Sequence, residues 1–310
     1  MTDTNYKAHF ALLGANIIYG ANFLIAKGLM PEKIGASGLV LIRIIAAGIL
    51  FWIVKLFVNE KVNKRDYILL ALCGLFGASV NMLLFFHGLN LTSPIDASII
   101  ITATPVIVLI FSAIILKEKI TTNKYIGIFI GAVGAIILIV HGKSAGGNSS
   151  FLGNLFVFFN SCTYGLYLVL VKPLMKKYKA ITVVSWVFLF GLIFTFPFGI
   201  NNLISTNFNA FTTNTYLAIA FVVIGTTFLT YLFNIYALNY VPPSVNGSYI
   251  YLQPVVSFIL VSIYAFAYGN NEYAKDINWI KIASCVLVIF GVYLISRKKP
   301  LNFSKKTISN

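Results

Sequence analysis

Ten times along the chain, a run of about 18–25 mostly apolar residues ends at a cluster of Lys, Asn, Pro or Gly. The runs lie near 8–27, 34–57, 66–90, 94–116, 124–141, 152–172, 180–201, 214–238, 243–268 and 278–296. Each is long enough to cross a hydrocarbon core of roughly 30 Å as a helix. The connections are short, so no separate soluble domain is expected and the chemistry must lie between helices. The pattern predicts an all-α membrane protein of ten transmembrane helices.

Composition agrees. Of 310 residues, 59% are hydrophobic and only 10% charged, and a mean hydropathy of +0.88 lies far outside the soluble range. The first run is not read as a cleavable signal: Asp3 precedes it, and Asn16, Tyr19 and Asn22 interrupt it. The formal charge of +15 could suggest nucleic acid, but its distribution argues for topology instead. With the N-terminus inside, seventeen of the 23 Lys and Arg fall on the inner side, five of them in the tail from Arg297 to Lys306. Five fall outside (Lys27, Lys33, Lys143, Lys275 and Lys281), which leaves Arg43 within a span. This asymmetry places both termini in the cytoplasm of a cell-membrane protein, with the lipid bilayer rather than nucleic acid as its surroundings. Cys73, Cys162 and Cys285 lie in spans without CxxC spacing and read as packing residues.

The halves repeat. "YGANFLIAKGLM" (19–30) aligns with "YGLYLVLVKPLM" (164–175), and "HGLNLTSP" (87–94) with "YALNYVPP" (236–243), at offsets of 145 and 149. Gly134 meets Gly291 at offset 157. Five spans per repeat is an odd number, so the second copy, from about residue 146, enters the membrane from the opposite side to the first, residues 1–145. Such inverted repeats suit alternating access, in which a central site opens to each face in turn.

Pro94/Pro105 and Pro243/Pro254 are each spaced by eleven. Pro94 and Pro243 suit a first helical turn. Pro105 and Pro254 fall about 16 Å further on, near the midplane, and are read as helix kinks that free the carbonyls of Ile101 and Ile250. Freed carbonyls in a bilayer should face protein or a wet cavity. Polar stripes follow these faces: Ser98, Thr102 and Pro105; Gly247, Tyr251 and Pro254, with Gln253 adjacent; Asn160, Tyr164 and Tyr167; Asn16, Tyr19 and Asn22; Thr227, Thr230 and Asn234. They read either as interhelical hydrogen-bonding groups or as the lining of a polar, aromatic substrate pocket.

On these residues the chain resembles the drug/metabolite transporter superfamily, in its ten-helix EamA-type branch. The resemblance rests on "YGANFLIAK" (19–27), Arg43, "TATPVIVLIFSAIILKEKIT" (102–121) with Pro105 and Glu118, Gly127 and Gly134, and "YLQP" (251–254), in order across nearly the whole chain. It implies a bacterial inner-membrane carrier that exports amino acids, other metabolites or drugs. Two positions depart from the family pattern: Tyr19-Gly20 stands where Trp-Gly is common, and Glu272 lies about five residues from where an acid usually follows the ninth span.

The charged residues have two readings each. Arg43 meets a substrate carboxylate, or ties helix ends together through carbonyls and Asp96. Asp96 is a proton-carrier candidate, while Ser93-Pro94-Ile95-Asp96 also reads as an N-cap with an acid in the first turn. Glu118 between Lys117 and Lys119 reads as a gate ion pair, and His87 as a packing histidine or a coupling group. One enzymatic alternative is "GASG" (35–38), in which Ser37 beside His87 or His141 would resemble an intramembrane serine protease. A non-transporting scaffold is the other. No HExxH, Walker A loop or helix-opening GxGxxG is present, so no metal, cofactor or ATP-driven step is expected. The reading is a secondary carrier or facilitator of a small zwitterionic or amphipathic metabolite, with protons as the candidate coupling ion and the oligomeric state open.

Overall fold

Helix lies under all ten predicted runs in the computed structural model, which describes residues 3–115, 117, 122–141, 150–238, 240, 249–269 and 278–296. The helices are α1 (Asp3–Lys27), α2 (Ala36–Leu56), α3 (Tyr67–Gly74, Leu75–Ser79 and Val80–Leu91 in succession), α4 (Pro94–Ile101 and Thr104–Ile115) and α5 (Thr122–His141). They continue with α6 (Phe151–Lys177), α7 (Ala180–Ile204), α8 (Thr213–Ala220, Phe221–Leu229 and Thr230–Leu238), α9 (Tyr249–Tyr251 and Leu252–Tyr268) and α10 (Trp279–Ser296). Eight are long and apolar enough to cross a membrane over their described residues; α5 and α10 contribute the shorter apolar stretches Tyr125–Gly134 and Trp279–Gly291. No strand occurs among the described residues. The chain is a multi-pass, all-α membrane protein.

Local chemistry sets several helix starts. The Ser93, Ser150 and Thr212 hydroxyls accept from the amides of Asp96, Gly153 and Thr215, relieving amides that the first turn leaves without a partner. Pro94 fills the first position of α4, where its missing N–H costs nothing.

Helix packing among the described residues has a common rule in its larger contacts. These include α2 with α7, α5 with α10, α3 with α6, α1 with α8, α4 with α6 and α1 with α9, together with α3 with α7 and its exchanged pair α8 with α2. Exchanging each helix n for n+5 maps this set onto itself: α3–α6 becomes α8–α1, α4–α6 becomes α9–α1, and α2–α7 and α5–α10 return unchanged. Close approaches obey it residue by residue. A Cβ on Gly20 would meet Val256 at 2.6 Å, and a Cβ on Gly165 would meet Ile107 at 3.0 Å. Offsets of 145 and 149 convert one contact into the other. The repeated Tyr-Gly pair thus has a packing reason: glycine lets α1 and α6 lie directly on the helix segments that begin at the proline breaks.

The prolines do not kink continuous helices. Pro105 is the second residue of a new segment, after an interruption at Thr102 and Ala103, and Pro254 is the third residue of the segment that follows the turn Tyr249–Tyr251. Both occupy the first turn, where proline is tolerated. The Ile101 carbonyl is satisfied locally, by the Thr104 hydroxyl at 2.6 Å, so it does not open into a wet cavity.

The pattern gave no sign of two π-helical stretches, Leu75–Ser79 in α3 and Phe221–Leu229 in α8. The offset of 149 carries 75–79 onto 224–228, inside the second stretch. Glu118, Pro243, Gly247, Glu272 and the basic tail lie outside the described residues.

Candidate functional site

Arg43, on α2, is only 5% exposed. Its Nε donates to Thr227 Oγ1 at 2.9 Å, and its Cζ lies 4.7 Å from the centroid of the Phe86 ring. The π-helical stretch of α8 prepares Thr227 for this role. Its hydroxyl donates to the Val222 carbonyl five residues back, at 3.1 Å, which leaves the oxygen lone pairs for the guanidinium. Among the described residues the two terminal nitrogens of Arg43 make no hydrogen bond. A guanidinium in a bilayer interior whose two terminal nitrogens lack partners is costly unless something charged or polar visits it. The alternative role, a tie to Asp96, is overturned: Asp96 is engaged elsewhere.

Around Arg43 stand tyrosines. Tyr19 and Tyr231 lie within Coulombic reach of its charge, and the Tyr19 hydroxyl lies against that of Thr230. The Tyr164 and Tyr167 rings are 5.9 Å apart, and the Tyr167 ring rests on Gly77 in the π-helical stretch of α3, where a Cβ would come within 2.3 Å of it. Tyr19, Tyr164 and Tyr231 are half-buried beside this charge. Gln253, at the start of α9, donates to Asn16 Oδ1 at 2.9 Å, and Asn16 in turn donates to the Leu12 carbonyl. Asn22 Oδ1 and the Tyr251 hydroxyl are buried without a hydrogen-bond partner among the described residues.

Other expected site residues turn elsewhere. The Ser98 and Thr102 hydroxyls donate to the carbonyls of Ile95 and Ile99, and the Asn234 amide to that of Thr230. These groups stabilise their own helices. Asn160 and Asn81 each donate to the other's carbonyl, joining α6 to α3. Ser37 Oγ lies 2.8 Å from His87 Nε2. Among the described residues no carboxylate completes that pair, so an orienting group for a nucleophile and base is lacking.

The sharpest departure from the sequence reading concerns charge. From the sequence, Lys281 counts with the outer-side charges at the start of the tenth run and Arg43 as the one charge deep in a span. Lys281 Nζ instead lies 2.7 Å from Asp96 Oδ1, and both side chains are 0% exposed. Ser93 caps α4, its hydroxyl accepting from the Asp96 amide at 3.1 Å, while the Asp96 carboxylate holds α10. Tyr231, Phe86 and Lys281 were not anticipated. The i, i+4 step from Thr227 and the alignment of Lys281 with Lys124 at offset 157 were the available signals.

Two cavities that open outward lie away from this cluster. A polar depression of about 400 Å³ is lined by Glu32, Lys33, Asn202 and Thr206 at one end of the bundle. An apolar groove of about 480 Å³ runs between α2 and α7 past Ile49, Trp52 and Leu192.

Ten apolar helices, two broken at prolines and two wound locally to π, surrounding a buried cation and clustered tyrosines, define a polytopic transporter-type bundle. The profile of the EamA-like transporter family matches twice, over residues 6–140 and 151–297, and the chain belongs to that family. An uncharacterized transporter of Archaeoglobus fulgidus is 28% identical over 83% of this chain and 87% of its own. The transporter YyaM of Bacillus subtilis, likewise described as uncharacterized, is 26% identical over 93% of each chain. A protein described as a probable terminal-alkyne amino-acid exporter, from Streptantibioticus cattleyicolor, is 27% identical over 62% of this chain and 63% of its own. A solved structure titled "Crystal structure of protein" superposes with a TM-score of 0.61 at 18% identity, over 97% of this chain and 99% of its own, and shares the fold. The protein is a small-molecule transporter.

Proposed function

We propose that the protein is a secondary carrier that exports small, carboxylate-bearing amphipathic metabolites across the bacterial inner membrane by alternating access. In this reading residues 1–145 and 146–310 are inverted five-helix repeats, both termini are cytoplasmic, and the site lies between α1, α2, α3, α6, α8 and α9. The observation that carries it is Arg43: a buried guanidinium oriented by Thr227, its two terminal nitrogens without a hydrogen bond among the described residues, beside half-buried tyrosines. A carboxylate would accept both donors side by side, a geometry that suits a planar guanidinium. The tyrosine rings supply a surface for the substrate's apolar body and hydroxyls for its polar groups. The packing that returns onto itself when the halves are exchanged supports two alternative openings of comparable architecture. The relative described as a probable terminal-alkyne amino-acid exporter is named for a substrate class that carries a carboxylate.

The test is flux of a labelled panel of amino acids, organic acids and their amides into proteoliposomes, with and without a pH gradient. Carboxylates should move and their amides should not, and Arg43→Lys should reduce flux by about tenfold or more. Equal flux of acid and amide would overturn the assignment of Arg43, and flux indifferent to the gradient would remove proton coupling. The Ser37–His87 contact gives a serine-hydrolase reading one supporting observation. Ser37→Ala should leave flux intact; loss of a hydrolytic activity in that variant would favour the enzyme instead.

A further inference from the structure

Asp96 and Lys281 form an ion pair with no exposure at all, in the first turns of two different helices, α4 and α10. Pairing charges inside a membrane protein is costly in desolvation, and hydrophobic residues of similar volume often serve packing as well or better. A pair kept there therefore invites a role beyond adhesion. Its surroundings supply one. Asp96 is fixed to the helix start by Ser93 and Pro94, and the Lys281 amide is capped by Asn278 Oδ1 at 3.0 Å. The pair joins two rigid helix ends rather than two flexible side chains. Nearby contacts at the same end, Lys27 with the Asn90 carbonyl and Thr92 with Asn154, tie α1 and α6 to the α3–α4 junction.

The repeat shows what is missing at the other end. Helix α10 starts 157 residues after α5, at Trp279 against Thr122, and that register places Lys124 opposite Lys281. At offset 149, however, Asp96 corresponds to Val245. The cation is duplicated and the acid is not.

The geometry points to a one-sided latch. The Asp96–Lys281 pair fastens α4 to α10 when the bundle is closed at the end where both helices begin. For the symmetry-related closure of α9 against α5 the sequence places Val245 where Asp96 stands, so that pair has no sequence counterpart and the two orientations of the carrier are unequal in energy. The resting protein favours the state sealed at the Asp96 end, and a ligand or neighbouring charge that separates the pair releases it. This rests on the alternating-access reading above. A two-state equilibrium shifts only by what distinguishes its states, and a buried ion pair made in one state alone is such a difference.

The repeat also supplies matched probes, because Asn90 and Asn239 are equivalent at offset 149. Single cysteines at each, in full-length protein with Cys73, Cys162 and Cys285 replaced by Ala, are labelled with a charged maleimide in reconstituted vesicles. In Asp96→Asn/Lys281→Met, which removes both charges together, labelling at 90 should rise about tenfold and labelling at 239 should fall. The exchanged pair Asp96→Lys/Lys281→Asp should restore the original rates. Val245→Asp, which puts an acid at the position equivalent to Asp96, should raise labelling at 90 in the otherwise native chain. Size-exclusion profile and helical circular dichroism establish that each variant is folded. Unchanged labelling in the folded neutral double variant, while Val245→Asp still shifts both probes, overturns the latch and leaves alternating access standing. A rise at 90 with no fall at 239 overturns both, because the two ends then open independently.

Discussion

The two broken helices share a backbone device and use their polar side chains differently. In α4 the hydroxyls of Ser98, Thr102 and Thr104 close onto carbonyls of the same helix, those of Ile95, Ile99 and Ile101. In α9 Gln253 reaches across to Asn16 on α1, and the Tyr251 hydroxyl has no partner among the described residues. One break is sealed from within; the other depends on its neighbours. The charged contacts are shared unevenly too: Arg43 and Asp96 come from the first half, while their partners Thr227 and Lys281 come from the second. The paired breaks keep a shared backbone geometry and let the side-chain chemistry differ, so similar frames carry different sets of interactions.

The strongest way to probe that asymmetry is to leave one charge alone. Lys281→Met strands the Asp96 carboxylate in the interior and should cost about 3–5 kcal/mol, read as a large fall in thermal unfolding temperature in detergent. Asp96→Asn added to it should recover most of the loss. If the double variant is no more stable than the single, the two residues are not energetically coupled. Next in size, Arg43→Lys keeps the charge but loses the two-pronged donor, and flux of carboxylate substrates should fall by about tenfold or more with little change in unfolding temperature. A parallel loss of stability would mean that Arg43 holds helices together and binds nothing.

A smaller contrast compares equivalent glycines. Gly20→Leu drives a side chain into Val256 and the Gln253 carbonyl, whereas Gly165→Leu meets Ile107 at a slightly longer distance. Both should destabilise by about 1–3 kcal/mol through overpacking, the first more than the second. Because the proposed site includes Gln253, whose carbonyl a Cβ on Gly20 would approach, Gly20→Leu should also raise the KM for flux, and Gly165→Leu should leave it near its original value. Equal KM changes would argue that both halves carry recognition alike.

Much of this architecture was legible in the sequence, because hydrocarbon thickness fixes the length of an apolar helix and leaves its ends marked by Lys, Asn and Pro. The duplication was legible for the same reason: Tyr-Gly and the paired prolines answer to backbone approach and helix termination, which are local demands. What escaped is what depends on a distant partner. Lys281 stands near a helix end, where lysine ordinarily reaches for the interface; it is buried because a carboxylate 185 residues earlier in the chain meets it. The π-helical stretches escaped because their residues, "LFGAS" and "FVVIGTTFL", differ little from those of an ordinary apolar helix. Their register is set by packing and by Thr227 reaching back to Val222. Ser98, Thr102 and Asn234 shared a face with the site, and spacing alone could not tell that their side chains would close onto their own backbone.

The finest test of the comparison sets Thr104 against Gln253, which are equivalent at offset 149. Thr104→Val removes the hydroxyl that satisfies the Ile101 carbonyl and should cost about 1 kcal/mol of stability, since an interior acceptor loses its donor. Flux should be unaltered in KM, because that hydroxyl faces its own helix. Gln253→Leu removes a donor to Asn16 and should cost about as much in unfolding temperature, yet it should also raise KM, because Asn16 and Tyr19 sit one turn apart on the α1 face beside Arg43. Two substitutions of similar energetic size at the same place in the two repeats would then differ only in function. That outcome separates a break that shapes the protein from a break that helps to hold its substrate.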